Sequence, residues 1–261
     1  MMSSNLLGIA SLLAVQVLCA DQPLNVRATQ SSTHVSAPRV IRSSGAIEAD
    51  VELFRALLGG PDNGALPGQQ PLGRREITWD GVPAAVTNVP NFPADFFNVD
   101  SPRGLVYEAT GNGLEVSDQS FIDVNPAYAG EFIPFSGHKA FSPIGTIGTE
   151  VAFFVAGSDT KAAVCGVGVV FLDVDKLGSS GIQLLDENGL DLGTFNAPVR
   201  SDRRGASFVG VVFRNPVIAH VHIRTGDGEL VSNEVDVSDG GHHDLVVMDN
   251  IIYGEPTAIA P

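Results

Sequence analysis

The sequence predicts an all-β chain folded as a jelly-roll-like β-sandwich, with one short helix near its N-terminus. Roughly ten short apolar segments are separated by turn residues, as in sandwiches and jelly rolls. The 261 residues include 29 Gly and 16 Pro, which suits many turns. Helix and strand patterns do not alternate, and no repeat of about 20–50 residues is present. These two observations disfavour α/β folds, propellers and solenoids.

The N-terminal segment has the pattern of an export signal. An apolar run over residues 6–18 is too short to span a bilayer, and the polar Asp21 follows it closely. We therefore predict a signal peptide at residues 1–20 and a secreted, extracellular protein. No other segment is apolar enough for a membrane span. For Cys165, which lies in an apolar run, we expect a buried and unreactive side chain.

The rest of the chain divides by composition and pattern. Residues 21–46 are rich in Ser, Thr, Val and Ala without clear periodicity, and we predict that they form a flexible linker. Residues 47–256 are predicted to form a single β-sandwich domain, and residues 257–261 a tail. This length is sufficient for a core that needs no disulfide or metal to fold.

The predicted helix covers residues 47–58. Four apolar residues recur at spacings of four, three and four and form one stripe: Ile47, Val51, Phe54 and Leu58. Ser43 or Ser44 can cap its start, and Gly59 and the residues after it end it. A single short helix of this kind is expected to plug an end or flank of the sandwich.

The strands follow from apolar patterning between turns. They are predicted at residues 76–79, 104–108, 113–117, 149–156, 162–173, 182–186, 191–195, 207–213, 217–224 and 245–253. Asn188-Gly189 predicts a hairpin between two of them, because both residues tolerate positive φ.

The charge of the chain excludes several partners. The 15 basic residues are outnumbered by 30 acidic residues, giving a formal charge of −15. A nucleic-acid binder needs a basic stripe, and the sequence contains none. Anionic membrane surfaces are disfavoured for the same reason. The charge instead suits divalent cations and uncharged partners such as sugars.

Acidic residues at strand positions are the first candidates for a functional site. Asp173 and Asp175 end a long apolar strand, and Asp249 interrupts the closing one. A charged group in such a strand is costly unless it is paired or bound to metal, and calcium takes carboxylate and carbonyl oxygens as ligands. We predict a structural calcium with these residues as candidate ligands. The alternative is that Asp173 and Asp175 begin a polar loop, and that Asp249 pairs with an Arg or accepts backbone hydrogen bonds.

The segment Met248-Asp249-Asn250-Ile251-Ile252-Tyr253-Gly254 resembles the closing strand of galactose-binding-like jelly rolls, an architecture shared by many carbohydrate-binding modules. The resemblance implies that Asp249 ligates calcium together with an acid near the first strand, here Glu76 or Asp80. Four further segments of the chain resemble uncharacterised secreted bacterial β-sandwich proteins: 73–81, 95–104, 166–175 and 254–256. That similarity implies no activity.

Two other groups of residues are candidates for ligand binding. In the strand 217–224, alternation places Ile218, His220, His222 and Arg224 on a face that is exposed or lines a groove. The His pair suits a transition-metal site, and exposed surface histidines are the alternative. Four aromatic residues either form a sugar-stacking platform or belong to the core: Trp79, Phe96, Phe97 and Tyr107.

The sequence therefore favours a secreted, noncatalytic jelly-roll module that binds extracellular glycan or matrix and contains a structural calcium. One alternative is a structural or adhesive surface protein without a small ligand. The other is a hydrolase or lyase acting on polysaccharide, although no nucleophile motif or phosphate-binding loop is present. The sequence does not determine an oligomeric state.

Overall fold

The structure is a computed structural model that describes residues 36–108, 111–200 and 205–259. The predicted signal peptide and most of the predicted linker lie outside these ranges. Within them the chain forms one α-helix, α1 (Glu48–Leu58), and fourteen strands. The strands are β1 (Arg39–Ser44), β2 (Arg74–Ile77), β3 (Leu105–Tyr107), β4 (Leu114–Ser117), β5 (Ala140–Pro143), β6 (Gly148–Phe153), β7 (Ala162–Ala163), β8 (Gly166–Leu172), β9 (Gly181–Leu185), β10 (Asp191–Asn196), β11 (Ala206–Val212), β12 (His220–Arg224), β13 (Val247–Gly254) and β14 (Thr257–Ala258).

Two antiparallel sheets make up most of the fold. The larger has seven strands in the order β1-β11-β8-β13-β5-β4, with β2 also paired to β13. The smaller has five strands in the order β10-β9-β12-β6-β3, and β14 pairs with β7 separately. From β8 onward the chain passes repeatedly between the two sheets. This arrangement confirms the predicted jelly-roll-like β-sandwich.

The main core lies between the two sheets. Apolar residues at alternate positions of β8 and β13 pack against those of β6, β9 and β12. Trp79 is buried in this core and stacks on Phe141 with ring centroids 4.2 Å apart. Phe96, Phe97 and Tyr107 are buried in the same core, so these aromatic residues are core residues and do not form an exposed sugar platform.

A second core covers the outer face of the seven-stranded sheet. The apolar stripe of α1 packs there with Val170 and Phe208, next to apolar side chains from the loop between β4 and β5. The central strand β8 is consequently buried on both faces along its whole length. The helix thus flanks the sandwich, as predicted. Its N-cap is Ile47, without a side-chain cap, because the expected capping residues Ser43 and Ser44 belong to β1.

Two boundary predictions are wrong. Residues 39–44, assigned to a flexible linker, form β1, which pairs with β11 along its whole length. In the predicted tail, Thr257 and Ala258 form β14. The Asn188-Gly189 hairpin is confirmed by the antiparallel pairing of β9 and β10. No helix in the described ranges is long and apolar enough to cross a membrane.

Cys165 is fully buried, as predicted. It is also disulfide-bonded, which the prediction of an inert thiol did not foresee.

Candidate metal centre

One end of the seven-stranded sheet carries a group of buried carboxylates. Asp173 and Asp175 directly follow β8, where the chain leaves the sheet. The backbone of Asp173 has φ of 72°, a left-handed conformation that turns the chain sharply at this point. Its N–H still donates to the carbonyl of Gly205, 3.0 Å away, so the turn stays attached to the start of β11.

Three more acids reach the same place from two other loops, Glu131 from the β4–β5 loop and Asp236 and Asp244 from the β12–β13 loop. Glu131, Asp173 and Asp236 each offer a carboxylate oxygen within 4.8 Å of the others, and all three are buried. Asp175, Asp236 and Asp244 form a second such group. Asp236 belongs to both groups, so the five residues form one cluster, the acidic cluster.

Some carboxylates in the acidic cluster are well satisfied by hydrogen bonds. Asp244 accepts from the backbone N–H groups of Asp175 at 2.9 Å and Lys176 at 3.0 Å, and from the Ser179 hydroxyl at 2.5 Å. Asp236 accepts from the N–H groups of Leu245 at 2.8 Å and Ser238 at 2.5 Å. These bonds fix the orientation of two carboxylates within the cluster.

Asp173 has different surroundings. It is completely buried, and its carboxylate faces a guanidinium rather than backbone N–H groups. Nη1 of Arg200 lies 2.7 Å from its Oδ1, and Nε of the same guanidinium donates to Asp175 at 2.5 Å. One guanidinium among the described residues therefore faces two of the five carboxylates.

The pKa values in the acidic cluster reflect this crowding. Burial, together with the adjacent carboxyl group of Glu131, raises the pKa of Asp173 to about 9 despite the nearby Arg200. Burial also raises the pKa of Asp236 to about 6, although its backbone hydrogen bonds oppose the shift. The pKa of Asp244 is raised, again mainly by burial. Burial thus raises the pKa values of three of the five carboxyl groups in the acidic cluster.

Asp249 has a different environment from the one expected of a calcium ligand. It lies in a bulge of β13, between Met248 and Ile251, and is completely buried. Its Oδ2 accepts from the N–H groups of Phe135 at 2.5 Å and Ser136 at 2.9 Å. Burial raises its pKa to about 7, and these two hydrogen bonds work against the rise. Within the described residues Asp249 belongs to no group of three metal-compatible side chains.

Glu76 lies near Asp249, as the resemblance to jelly-roll modules implied, because β2 pairs with β13. Its carboxylate binds the Arg55 guanidinium and accepts from Nδ2 of Asn250 at 2.7 Å. The Ser136 hydroxyl in turn donates to Asn250 at 2.6 Å. Glu76 is therefore linked to this strand by hydrogen bonds and an ion pair, and it also belongs to no metal-compatible group of described residues.

Of the four predicted ligands, the structure brings Asp173 and Asp175 together with three acids that the sequence analysis did not single out. Asp244 immediately precedes the apolar residues that lead into β13, and that position was a usable signal. Glu131 and Asp236 lie inside long loops, several residues from the nearest strand. No sequence pattern distinguishes them from acids that lie on the surface.

The outer face of the five-stranded sheet is polar. His222 pairs with Gln183 on one side and Glu150 on the other, and this row extends to Thr194 and Glu108 at the two edge strands. His220 and His222 both face solvent in part, as predicted, whereas Ile218 is buried before β12 begins.

Comparisons with known proteins add little to this geometry. No protein-family model matches the chain, and no curated protein matches it. Among solved structures, the enzymatically active domain of tailspike protein 4 of bacteriophage CBA120 shares 15% identity with a TM-score of 0.27. That match covers 65% of this chain and 21% of the other, so the chain spans about a fifth of its length.

Proposed function

We propose that this protein is a noncatalytic extracellular β-sandwich module that binds glycan or matrix and holds one end of its sandwich together with calcium. The acidic cluster carries the calcium part of the proposal. Calcium takes six to eight oxygen ligands in flexible geometry, and five carboxylates from four separate parts of the chain converge here. The Asp173 carboxylate is completely buried beside Glu131 and faces the Arg200 guanidinium at 2.7 Å, and it is the group that we expect the cation to contact.

The burial of the acidic cluster argues against a hydrolase or lyase centred on these acids. Asp173 and Asp244 are 0% exposed and Glu131 is 1% exposed, so a polysaccharide chain cannot contact them. A glycosidase needs two carboxyl groups on opposite sides of an accessible bond. A single ion, in contrast, fits among buried oxygens.

The polar row on the five-stranded sheet is the surface that best suits a glycan. Thr194, Gln183 and His222 present hydroxyl, amide and imidazole groups, which can donate and accept hydrogen bonds with sugar hydroxyls. An uncharged glycan also avoids the repulsion that the net charge of −15 exerts on polyanions. Because Trp79, Phe96, Phe97 and Tyr107 are buried in the core, recognition would depend on these polar groups.

The calcium proposal is tested by thermal unfolding in calcium and in chelator. Extracellular calcium modules bind at roughly 10⁻⁴–10⁻³ M, so about 10 mM free calcium adds about 1.4–2.7 kcal/mol to the stability of the folded state. At about 2–4 °C per kcal/mol for a domain of this size, we expect the Tm to rise by about 3–10 °C. Magnesium should do less, because it gives up its water reluctantly.

Asp173→Asn is the diagnostic variant and Asp249→Asn its matched control. Both replace a buried carboxylate at the seven-stranded sheet, but Asp249 already accepts two backbone hydrogen bonds. We expect the calcium-dependent rise to disappear in the first variant and to persist in the second. An equal Tm in calcium and chelator for the unaltered protein would mean that the acidic cluster does not bind calcium.

Glycan binding is tested on an array of neutral polysaccharides. We expect retention that is lost in Gln183→Ala, and unchanged in Gln119→Ala, an exposed amide in the loop between β4 and β5. A calcium-dependent Tm without retention on any glycan would leave a structural or adhesive protein as the function.

A further inference from the structure

A second group of potential metal ligands lies on the exposed face of the five-stranded sheet. His220 and His222 are two residues apart on β12, so their side chains project from the same face. Glu150 lies on the neighbouring strand β6, directly opposite His222. The group is built on paired strands in the middle of the sheet, where the backbone is rigid.

The carboxylate of Glu150 already contacts both imidazoles. Nδ1 of His220 is 3.5 Å from Oε1, and Nε2 of His222 is 3.2 Å from Oε2. In a tetrahedral zinc site with bonds of about 2.0–2.1 Å, neighbouring ligand atoms are about 3.3 Å apart. Each nitrogen–oxygen separation therefore suits a pair of ligands around one ion, although two histidine nitrogens and one carboxylate oxygen do not yet all lie within 4.8 Å of one another in this structure.

The polar atoms of this group are otherwise poorly satisfied. Nδ1 of His220 is buried from solvent and makes no hydrogen bond among the described residues. Within the same ranges, no lysine or arginine forms an ion pair with Glu150, whose partners are the two histidines. An ion placed between the three side chains would satisfy all of these atoms at once.

We propose that His220, His222 and Glu150 bind one divalent transition-metal ion of the zinc class. The two imidazoles face different oxygens of the carboxylate, so binding requires them to turn toward each other. Both are free to do so, because the side chains are 33% and 46% exposed. A fourth position remains for water or for Glu108 on the adjacent edge strand.

The ligand chemistry separates this site from the acidic cluster. Imidazole nitrogen suits zinc and its neighbours in the transition series, whereas an all-oxygen set suits calcium. The inference goes beyond the proposed function and does not depend on it. Zinc binding at this face can succeed or fail whether or not calcium is bound at the acidic cluster, whereas zinc and a glycan would share His222.

The test is a calorimetric titration of the full chain with zinc. About 10 mM calcium is included so that zinc does not bind to the acidic cluster instead. We expect one zinc ion per chain and no heat from magnesium. His222→Ala and Glu150→Gln should each weaken zinc binding by at least about tenfold, the lower end of what loss of a supporting partner alone causes. His242→Ala, an exposed histidine elsewhere, should bind zinc normally.

Cobalt provides an independent readout, since nitrogen ligands in a four-coordinate site give it visible absorption bands that calcium sites do not produce. The variants alter partly exposed side chains, and an unchanged Tm without metal verifies that they fold. Absence of zinc binding, or zinc binding unaffected by His222→Ala, would overturn the proposal. Binding lost in Asp173→Asn but kept in His222→Ala would assign the zinc to the acidic cluster and equally refute it.

Discussion

The buried Asp249 makes the stability of the fold depend on pH. Its pKa of about 7, raised mainly by burial, lies about 3 units above the value of about 3.9 in an unfolded chain. At about 1.4 kcal/mol per unit, ionising it in the folded state costs about 4 kcal/mol. Between about pH 4 and pH 7 the unfolded chain has lost this proton and the folded chain retains it. The contribution is therefore favourable at low pH and is lost as the pH rises through the folded pKa.

Asp249→Asn removes this titration with little change of shape. The amide oxygen can replace Oδ2 as the acceptor for Phe135 and Ser136, and the amide N–H can face the Ser136 hydroxyl. We expect the stability of Asp249→Asn relative to the unaltered protein to increase by up to about 4 kcal/mol from pH 4 to pH 8. Asp249→Ala should be less stable than Asp249→Asn at every pH, because it leaves two backbone donors unsatisfied at about 1–3 kcal/mol each.

The measurement is urea unfolding at several pH values between 4 and 8.5, in chelator so that calcium does not contribute. Asp159→Asn, which removes an exposed carboxylate, is the control and should give a curve parallel to that of the unaltered protein. If the free energies of unfolding of Asp249→Asn and the unaltered protein differ by the same amount at all pH values, Asp249 does not titrate in this range and the reasoning fails.

Two further substitutions test how the fold is held together. Glu255→Gln should destabilise it by about 3–5 kcal/mol in urea unfolding, because the fully buried Arg75 loses the carboxylate that binds it at 2.8 and 2.6 Å; an effect below about 1 kcal/mol would contradict this. Gly168→Ala should lower the free energy of unfolding by about 1–3 kcal/mol, because the added Cβ would lie 2.7 Å from the Phe54 ring and push α1 away from the sheet. Unchanged amide-hydrogen exchange in α1 would contradict this displacement of the helix.

Most of the sandwich could be predicted because its strands carry local signals. The uninterrupted apolar run of β8 matched a strand buried on both faces, and Asn188-Gly189 specified the turn between β9 and β10. β1 was missed because only Val40 and Ile41 in it are apolar, and Ser and Thr residues precede it. Its position is determined by pairing with β11, more than 160 residues away in sequence, which no local pattern records.

The candidate site was only half predictable for a similar reason. Asp173 and Asp249 have nearly the same local sequence, since each follows two large apolar residues at a strand position. The two side chains nevertheless have different neighbours in the folded chain. A loop brings the N–H groups of Phe135 and Ser136 to Asp249, whereas another part of the same loop brings Glu131 to Asp173.

Whether a buried acid at a strand end accepts hydrogen bonds from backbone N–H groups or lies among other carboxylates thus depends on which loop residues pack against it. Donated N–H groups, as at Asp249, offset part of the cost of burying one carboxylate. Additional carboxylates, as at Asp173, increase the charge that must be compensated, and each added acid strengthens the attraction for a divalent cation. The loop between β4 and β5 supplies both kinds of group to the same sheet face. Its course over that face therefore decides which groups surround each aspartate.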